Sequence, residues 1–414
     1  MYKKIISTAL VLTGLITTGF SQTIDVYVAG TESGKSVVWK NGEIIYFSDI
    51  TVSSEANSMY VFKGDVYVAG TENKQAVVWK NGEIIYLTTN SIEAIANSVY
   101  VSNSDVYVAG TVDSRAVVWK NGEIIYLTFG SQWGIGAAVA NSVYVSDGIV
   151  YVAGNEINIE RISVAVVWEI GETTSRYYVP HDYYDTFANS VYVSGGDVYI
   201  AGREFNSDGC TATLWKNDQA IYLTNGSTSS VAGSVYLSGG DIYVSGSEYN
   251  SDGYSIATLW KNGEIIYHAN DSTDKMANSV YVAGNDVYVA ITEGPYTARS
   301  TYYMKNDENV PLSNNGSAYS IFVVTGGVGI PKIQTDFPLK LIQRKGEIEL
   351  QPDAGSFESG AVNVYSTDGK LIYTKPVQRN TGIIIPTHSF PNGTYVIHLI
   401  DERTKKTWSR KVVI

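Results

Sequence analysis

One stretch of eight residues, WKNGEIIY, occurs four times in this chain, at Trp39–Tyr46, Trp79–Tyr86, Trp119–Tyr126 and Trp260–Tyr267. Each copy lies in a longer unit, and the units begin at Ser58, Ser98, Ser142, Ser190, Ser234 and Ser279. The units are 40 to 48 residues apart. Repeats of this length are typical of architectures in which each unit buries its apolar faces against its neighbours. The repeat therefore constrains the fold more than any other feature of the sequence.

Each unit is predicted to hold four short strands, which in the third unit are Val99–Ser102, Asp105–Ala109, Ala116–Lys120 and Glu123–Leu127. Asn121-Gly122 separates the last two. Both residue types tolerate the positive φ of a two-residue type I′ turn, so this is a strong hairpin signal. Apolar side chains occupy both faces of the strands, which predicts a sheet covered on both sides by copies of itself, as in a propeller blade.

The repeat begins out of phase, and this predicts a closed ring. Residues 24–49 supply only the last three strands of a unit, and the missing first strand stands at the other end of the repeats, at Ser317–Val324. Joining the two gives an all-β fold: a seven-bladed β-propeller of four-stranded blades. Six or eight blades remain as alternatives, because the last copy, Tyr303–Asn306, is degenerate.

The first residues have the pattern of an export signal. Lys3 and Lys4 precede a short apolar run, which predicts a signal peptide over residues 1–21; the alternative is a membrane anchor, for which the run is short. No integral membrane segment is expected after cleavage. Cys210 is the only cysteine, so the exported chain cannot form an internal disulfide.

The charge is unevenly distributed. The net charge is -12, yet residues 331–414 carry 12 basic and 8 acidic side chains, so the negative charge lies in the repeat region. An acidic body argues against nucleic acid or anionic lipid as a partner.

One face of the ring is the better candidate for function. The turns between strands one and two and between strands three and four are short and lie on one face. The other two connections of each unit lie on the opposite face and vary in length. Because variable loops on a rigid scaffold usually carry binding residues, we expect a site on that face, which we call the loop face.

The richest connection runs from Tyr177 to Asp185, with Tyr178, His181, Asp182, Tyr183, Tyr184 and Asp185 as candidate ligand-binding residues. Its acidic residues and histidine could hold a metal, and its tyrosines could stack on a sugar; the alternative is a loop whose tyrosines pack on its neighbours. Trp133 does not align with the repeated tryptophans. It is predicted either to be exposed as a ligand-stacking surface or to cover the core.

Recurrent polar residues have plainer interpretations. Asn57, Asn97, Asn141, Asn189 and Asn278 stand just before the predicted first strands and form either a collar of ligand-binding amides or caps for backbone groups at blade junctions; repetition favours caps. Asp208 and Asp252 are interpreted as turn residues rather than calcium ligands. No catalytic motif is present, and no metal or cofactor is expected.

Residues from about 336 onward form a different unit, predicted to be a small antiparallel β-sandwich after a linker over 327–335, with the propeller over 22–326. Val362–Ile372, Phe390–Leu399 and Arg410–Ile414 resemble the type A C-terminal sorting domain of the type IX secretion system of Bacteroidota. The family's usual opening motif is absent. The resemblance implies recognition by that secretion machinery and passage through the periplasm to the cell surface or the medium. The repeats resemble bacterial repeats of the VYVAG…WKNG type, which brings no activity.

Three functions are consistent with these features. The first is a non-enzymatic binding or scaffold module for glycan or protein at the cell surface. The second is a secreted polysaccharide-active enzyme with acidic residues at the propeller mouth, and the third is a purely structural repeat protein. Two carboxylates converging in a deep, aromatic-lined cleft would favour the enzyme, whereas a shallow mouth would favour binding.

Overall fold

The computed structural model describes residues 24–48, 53–89, 93–128, 137–180, 184–207, 209–269, 272–295, 298–325, 339–344, 346–352, 359–366, 371–378, 382–388, 390–391, 394–401 and 407–414. One compact unit is Asp25–Val324, and a second contains Thr325–Ile414. Within these ranges no helix has the length and apolar character needed to cross a bilayer. The predicted signal peptide lies outside the described residues.

The first unit consists of seven four-stranded antiparallel sheets, which confirms the predicted blades and their number. From the innermost strand outward they are blade 1, β28 (Gly316–Thr325), β1 (Ile24–Glu32), β2 (Lys35–Lys40) and β3 (Glu43–Phe47); blade 2, β4 (Ser54–Phe62), β5 (Asp65–Glu72), β6 (Gln75–Lys80) and β7 (Glu83–Tyr86); blade 3, β8 (Ala94–Ser102), β9 (Asp105–Val112), β10 (Arg115–Lys120) and β11 (Glu123–Tyr126); blade 4, β12 (Ala138–Ser146), β13 (Ile149–Ile157), β14 (Ser163–Ile170) and β15 (Thr174–Tyr178); blade 5, β16 (Thr186–Ser194), β17 (Asp197–Phe205), β18 (Cys210–Lys216) and β19 (Gln219–Tyr222); blade 6, β20 (Ser230–Ser238), β21 (Asp241–Tyr249), β22 (Ser255–Lys261) and β23 (Glu264–His268); blade 7, β24 (Lys275–Ala283), β25 (Asp286–Glu293), β26 (Ser300–Lys305) and β27 (Glu308–Ser313).

The repeated Lys-Asn-Gly motif forms a polar clamp at the outer hairpin. Asn121 and Gly122 have φ values of 52° and 87°, as a type I′ turn requires. The Asn121 amide donates to Asp105 (2.8 Å) and accepts the Val106 N–H (2.8 Å), while Lys120 Nζ lies 3.1 Å from Asp105. Asp-Lys pairs of the same kind occur in every blade except the fourth, at Asp25–Lys40, Asp65–Lys80, Asp197–Lys216, Asp241–Lys261 and Asp286–Lys305. The recurrent aspartates thus hold hairpins together within a blade.

A tight contact between three strands explains why the repeat has a glycine in its second strand and a tryptophan in its third. The inner strand β8 carries a β-bulge between Ala96 and Ser98. A Cβ added at Gly110 of β9 would lie 2.0 Å from the Ile95 carbonyl oxygen of β8 and 2.8 Å from the Trp119 ring of β10. Only glycine fits there, since the backbone and the indole already fill the space.

Blade 7 differs from the other blades at both positions of this contact. In its degenerate repeat, Met304 replaces the tryptophan and Ile291 replaces the glycine, and both side chains are buried. Where the large indole is missing, a branched side chain occupies the second strand. The two substitutions move side-chain volume from the third strand to the second, and both side chains are buried, so the space stays filled as close packing demands.

Hydrophobic cores lie between blades. Trp119 of blade 3 packs with Tyr67 and Val78 of blade 2, and Trp168 of blade 4 packs with Val118 of blade 3. Each blade therefore needs a neighbour on both sides, and a closed circle supplies one to every blade.

The ring closes as predicted, by pairing the last inner strand with the first described strand. In blade 1, β28 hydrogen-bonds to β1, which is followed by β2 and β3. Ser33 N–H donates to the Asn315 carbonyl (2.8 Å), and the Ser313 hydroxyl donates to Glu32 (2.9 Å).

A closed belt of seven aromatic rings surrounds the central channel. Neighbouring ring centroids are 4.5–5.3 Å apart. The belt consists of Tyr60, Tyr100, Tyr144, Tyr192, Tyr236, Tyr281 and Phe322. Burial raises the pKa of its tyrosines, that of Tyr144 to about 12. One aromatic side chain per blade thus continues the interblade packing into the channel.

The second unit contains two antiparallel sheets, as predicted for the sandwich. One sheet has the order β29 (Leu339–Arg344), β30 (Glu347–Pro352) and β33 (Ile383–Pro386). The other has the order β32 (Leu371–Gln378), β31 (Ser359–Ser366), β34 (Thr394–Asp401) and β35 (Thr407–Val413). A single core joins them, with Leu350 and Ile385 from the first sheet against Val364 and Leu399 from the second.

A double-mutant cycle in blade 3 tests the glycine–tryptophan contact. Gly110→Ile alone should destabilise the propeller by about 1–3 kcal/mol, because its Cβ would overlap the Ile95 backbone carbonyl, so that β8 must shift, and the rest of the side chain would overlap the indole. Combined with Trp119→Met, which recreates the blade 7 pair, it should cost less than the two single changes added together, by about 0.5–3 kcal/mol. Urea unfolding followed by circular dichroism measures all four proteins, and strict additivity would contradict the interpretation.

Truncation tests the ring closure. A chain that ends at Asn315 lacks β28 and should lose cooperative unfolding, because blade 1 loses its inner strand and blades 2 and 7 lose the hydrogen bonds that this strand makes to them. The matched control ends at Thr325, keeps β28 and should unfold cooperatively. Thermal unfolding monitored by circular dichroism compares the two, and equal melting curves would rule out closure by β28.

The aromatic belt predicts loss of stability at high pH. Since burial raises the pKa of these tyrosines in the folded state, their contribution is complete below about pH 10 and is lost as the pH rises through the folded values. Tyr144→Phe should fold, because Phe322 already occupies an equivalent position, and should reduce the fall in urea midpoint between pH 9 and pH 11. The exposed Tyr222→Phe is the control, and equal pH dependence in both variants would contradict the prediction.

Candidate ligand-binding face

The inner strands begin at the loop face, so the side chain of the second residue of each strand lies at the mouth of the channel. We call the seven equivalent positions the rim: Glu55, Ile95, Val139, Phe187, Val231, Met276 and Ser317. The rim is apolar from blade 3 to blade 7 and polar at blades 1 and 2. Val139 is 37% exposed, so this apolar surface reaches solvent.

The asparagine collar lies inside the first strands rather than just before them, which corrects the expected position. The bulge places each asparagine and the following serine on the channel side of the strand. Each amide donates to a backbone carbonyl of the next blade at 2.7–3.0 Å, as Asn97 does to Ala140. The collar therefore satisfies backbone groups at blade junctions, as its repetition suggested.

The serine that follows has a related role. Ser98 Oγ accepts the Val143 N–H of the next blade at 3.2 Å, and Ser320 Oγ accepts the Met59 N–H at 3.1 Å across the ring closure. The inner strands of adjacent blades are thus connected by side chains in place of a β-ladder. Gly233 in blade 6 and Tyr319 in blade 1 replace the collar asparagine and break its symmetry.

The candidate connection of blade 4 spans the blade from its outer edge to the channel. Tyr178 is on the outermost strand, β15, where it is exposed and donates to Glu156 (3.4 Å), which also pairs with Arg176 (2.9 Å). Asp185 lies at the start of inner strand β16 and accepts the Ser163 N–H at 2.7 Å. Tyr184 is exposed.

Trp133, His181, Asp182 and Tyr183 lie outside the described residues. Among the residues that are described, no cluster of three or more histidine, cysteine or acidic side chains could hold a metal. In the loop after β21, Asn250 accepts the N–H groups of Asp252 and Tyr254 at 3.0 and 2.9 Å, which is an Asx turn.

Carboxylates at the loop-face ends of the second strands have local partners. Glu72 accepts the Tyr86 hydroxyl, Glu248 accepts that of Thr228 (3.0 Å), and Glu293 lies 3.5 Å from Lys275. These contacts join each second strand to a neighbouring strand or loop. Such carboxylates serve as structural acceptors.

Two open depressions mark the loop face. The first, of about 530 Å³, lies between blades 3 and 4 and is lined by Glu93, Asp113, Ile95, Val139 and four polar residues. It holds two carboxylates but no aromatic side chain. The second, of about 590 Å³, lies over blades 5 to 7 and includes Arg203, Phe205 and Met276. Sequence reasoning did not select Arg203, although its departure from the repeat was visible.

The chain has low similarity to solved structures, and no curated protein matches it. The dihydro-heme d1 dehydrogenase NirN in complex with DHE has 10% identity and a TM-score of 0.41, over 74% of this chain and 76% of that one. PorZ, a surface component of the type IX secretion system of Porphyromonas gingivalis, has 10% identity and a TM-score of 0.21, over 95% and 81%. A thermostable family-43 glycoside hydrolase has 13% identity and a TM-score of 0.30, over 68% and 89%. None of these scores supports an inference about activity.

The C-terminal unit has a specific match. Residues 344–414 match the family model of the secretion system C-terminal sorting domain, which confirms the resemblance and covers all but the start of the predicted module. This family indicates export to the cell surface or secretion and handling by the secretion machinery. The sandwich at the end of this chain is therefore a sorting domain of the type IX secretion system.

Proposed function

We propose that the propeller is a non-enzymatic binding module that is exported by its sorting domain and engages a glycan or protein ligand through the loop face. The observation that carries the proposal is the rim, an apolar surface on five consecutive blades beside two open depressions. Shallow, partly apolar surfaces with few polar groups suit recognition. Four nearby carboxylates, those of Glu72, Asp113, Glu248 and Glu293, have local partners, which suits structure better than proton transfer.

A polysaccharide-active enzyme is the second candidate. The observation in its favour is that Glu93 and Asp113 line one depression. Against it, the lining lacks an aromatic platform, and the Asp113 carboxylate accepts the Glu93 N–H at 3.3 Å. The Asp113 carboxylate is thus engaged in holding the loop.

A binding screen with a cleavage assay tests the proposal. The chain over residues 22–414 is applied to an array of neutral and acidic glycans, with and without calcium, and incubated with each bound polysaccharide. We expect retention of at least one ligand with no release of reducing ends. Hydrolysis would support the enzyme instead, and absence of any glycan ligand would direct the search to proteins captured from the cell surface by crosslinking.

Rim variants locate the binding surface. Val139→Glu and Met276→Glu place a charge in one depression each, and at least one of them should weaken binding by roughly tenfold or more, because a ligand would bury an unpaired carboxylate. Ile45→Glu is the matched control: it is 38% exposed on outer strand β3, close to the 37% of Val139. Equal loss in the control, or no loss in either rim variant, would contradict a site on the loop face.

A further inference from the structure

One residue of the second strands departs from all its equivalents. Arg203 of β17 occupies a position that the other six blades fill with small polar side chains: Thr31, Thr71, Thr111, Asn155, Ser247 and Thr292. Two of these residues form hydrogen bonds to the next blade. Asn155 donates to the Thr186 carbonyl (2.7 Å), and Thr292 accepts the Ala318 N–H (3.1 Å). A bulky cation at one of seven equivalent positions is not needed to build the ring.

The guanidinium of Arg203 is held by two aromatic rings. It lies 4.6 Å from the Phe187 ring centroid and 5.5 Å from that of Phe205, and the two rings are 6.0 Å apart. Stacking of this kind orients an arginine without using its N–H donors. Both phenylalanines belong to blade 5: Phe187 is its rim residue, and Phe205 ends its second strand.

The same guanidinium has no acceptor among the described residues. Its Nε is buried without a hydrogen-bond partner, and no carboxylate pairs with it in that part of the chain. A partly desolvated cation without a counter-ion is costly, more so in a protein whose repeat region is acidic enough to offer many partners. The arrangement is favourable once an external anion occupies the position.

The depression beside Arg203 has the size and lining of a small-ligand site. Its volume of about 590 Å³ lies in the usual range for such sites. Hydroxyl groups of Ser229, Ser247 and Tyr249 line it, and the Tyr249 ring is 47% exposed at its edge. Blade 6 has Gly233 at the collar position, so Ser247 lacks the amide neighbour that Asn278 provides to Thr292 (3.1 Å) in blade 7. The Ser247 oxygen is therefore open to accept a hydrogen bond from a ligand hydroxyl.

We propose that this depression binds the carboxylate of an acidic sugar, a uronate residue of a glycan, with Arg203 as the anion-binding group. The planar guanidinium matches a carboxylate with two parallel hydrogen bonds. Hydroxyl groups that both donate and accept suit the hydroxyls of a sugar ring, and the exposed tyrosine offers a stacking face. The acidic repeat region repels a singly charged carboxylate less than a dianionic phosphate. The inference rests on the proposed function and names the ligand class of that face.

Calorimetric titration of the chain over residues 22–414 with trigalacturonate tests the proposal. Trigalacturonate should bind, its methyl ester should bind at least tenfold more weakly, and added salt should weaken the acid form. Arg203→Thr, which installs the residue of four other blades and is therefore compatible with the fold, should reduce affinity about 10- to 100-fold. Arg203→Lys keeps the positive charge but lacks the planar guanidinium, so its affinity should lie between those of the parent chain and of Arg203→Thr.

Two controls make the result specific. Arg161→Asn removes one positive charge from another loop of the same face, at a positive φ that asparagine tolerates, and should leave affinity unchanged. Equal melting temperatures of Arg203→Thr and the parent chain would show that the fold is kept. Equal binding of acid and ester, or full affinity of Arg203→Thr, would overturn the carboxylate subsite while leaving the loop face as a glycan-binding surface. Binding of a polyglutamate peptide in place of trigalacturonate, or of neither, would overturn the ligand class.

Discussion

The propeller depends on one contact that recurs in blades 2 to 5: the bulged inner strand, the glycine of the second strand and the tryptophan of the third meet in one place. At Gly110 the Ile95 carbonyl and the Trp119 ring leave no room for a side chain. The bulge turns the asparagine and serine of the inner strand towards the channel, and the indole fills the space towards the neighbouring blade. Blade 7 keeps the packed volume with Ile291 and Met304, so the constraint is one of volume rather than of residue type.

The circular arrangement decides what the repeated polar residues do. Inner strands of neighbouring blades belong to separate sheets, and Asn97 and Ser98 supply hydrogen bonds between them. The Asp105–Lys120–Asn121 clamp performs the corresponding task at the outer hairpin. Residues that recur in nearly every blade therefore belong to the scaffold. Functional residues are to be sought where the pattern is broken.

Blade 5 and its neighbour contain the clearest break. Arg203 replaces a small polar residue, Phe187 and Phe205 hold its guanidinium, and Gly233 removes a collar amide from the next blade. These departures cluster on the face that also has the longer connections. The type IX sorting domain indicates export of the chain to the cell surface or the medium. There the proposed subsite could meet acidic polysaccharides, with Arg203, whose Nε has no acceptor among the described residues, as the anion-binding group.

The repeat pattern by itself predicted the blades, a count of seven with six or eight left open, and the pairing of Ser317–Val324 with the first strands, because the repeats begin one strand out of phase and joining the two ends completes a blade. The Asn-Gly turns were equally predictable, since their φ values depend on two adjacent residues. Tertiary structure alone decided that Tyr178 lies at the outer edge while Asp185 lies near the channel, because their connection spans a whole blade. It also decided that Arg203 lies between two phenylalanines, one of them 16 residues away, and that no described carboxylate pairs with it, since such contacts depend on distances that the order of residues does not specify.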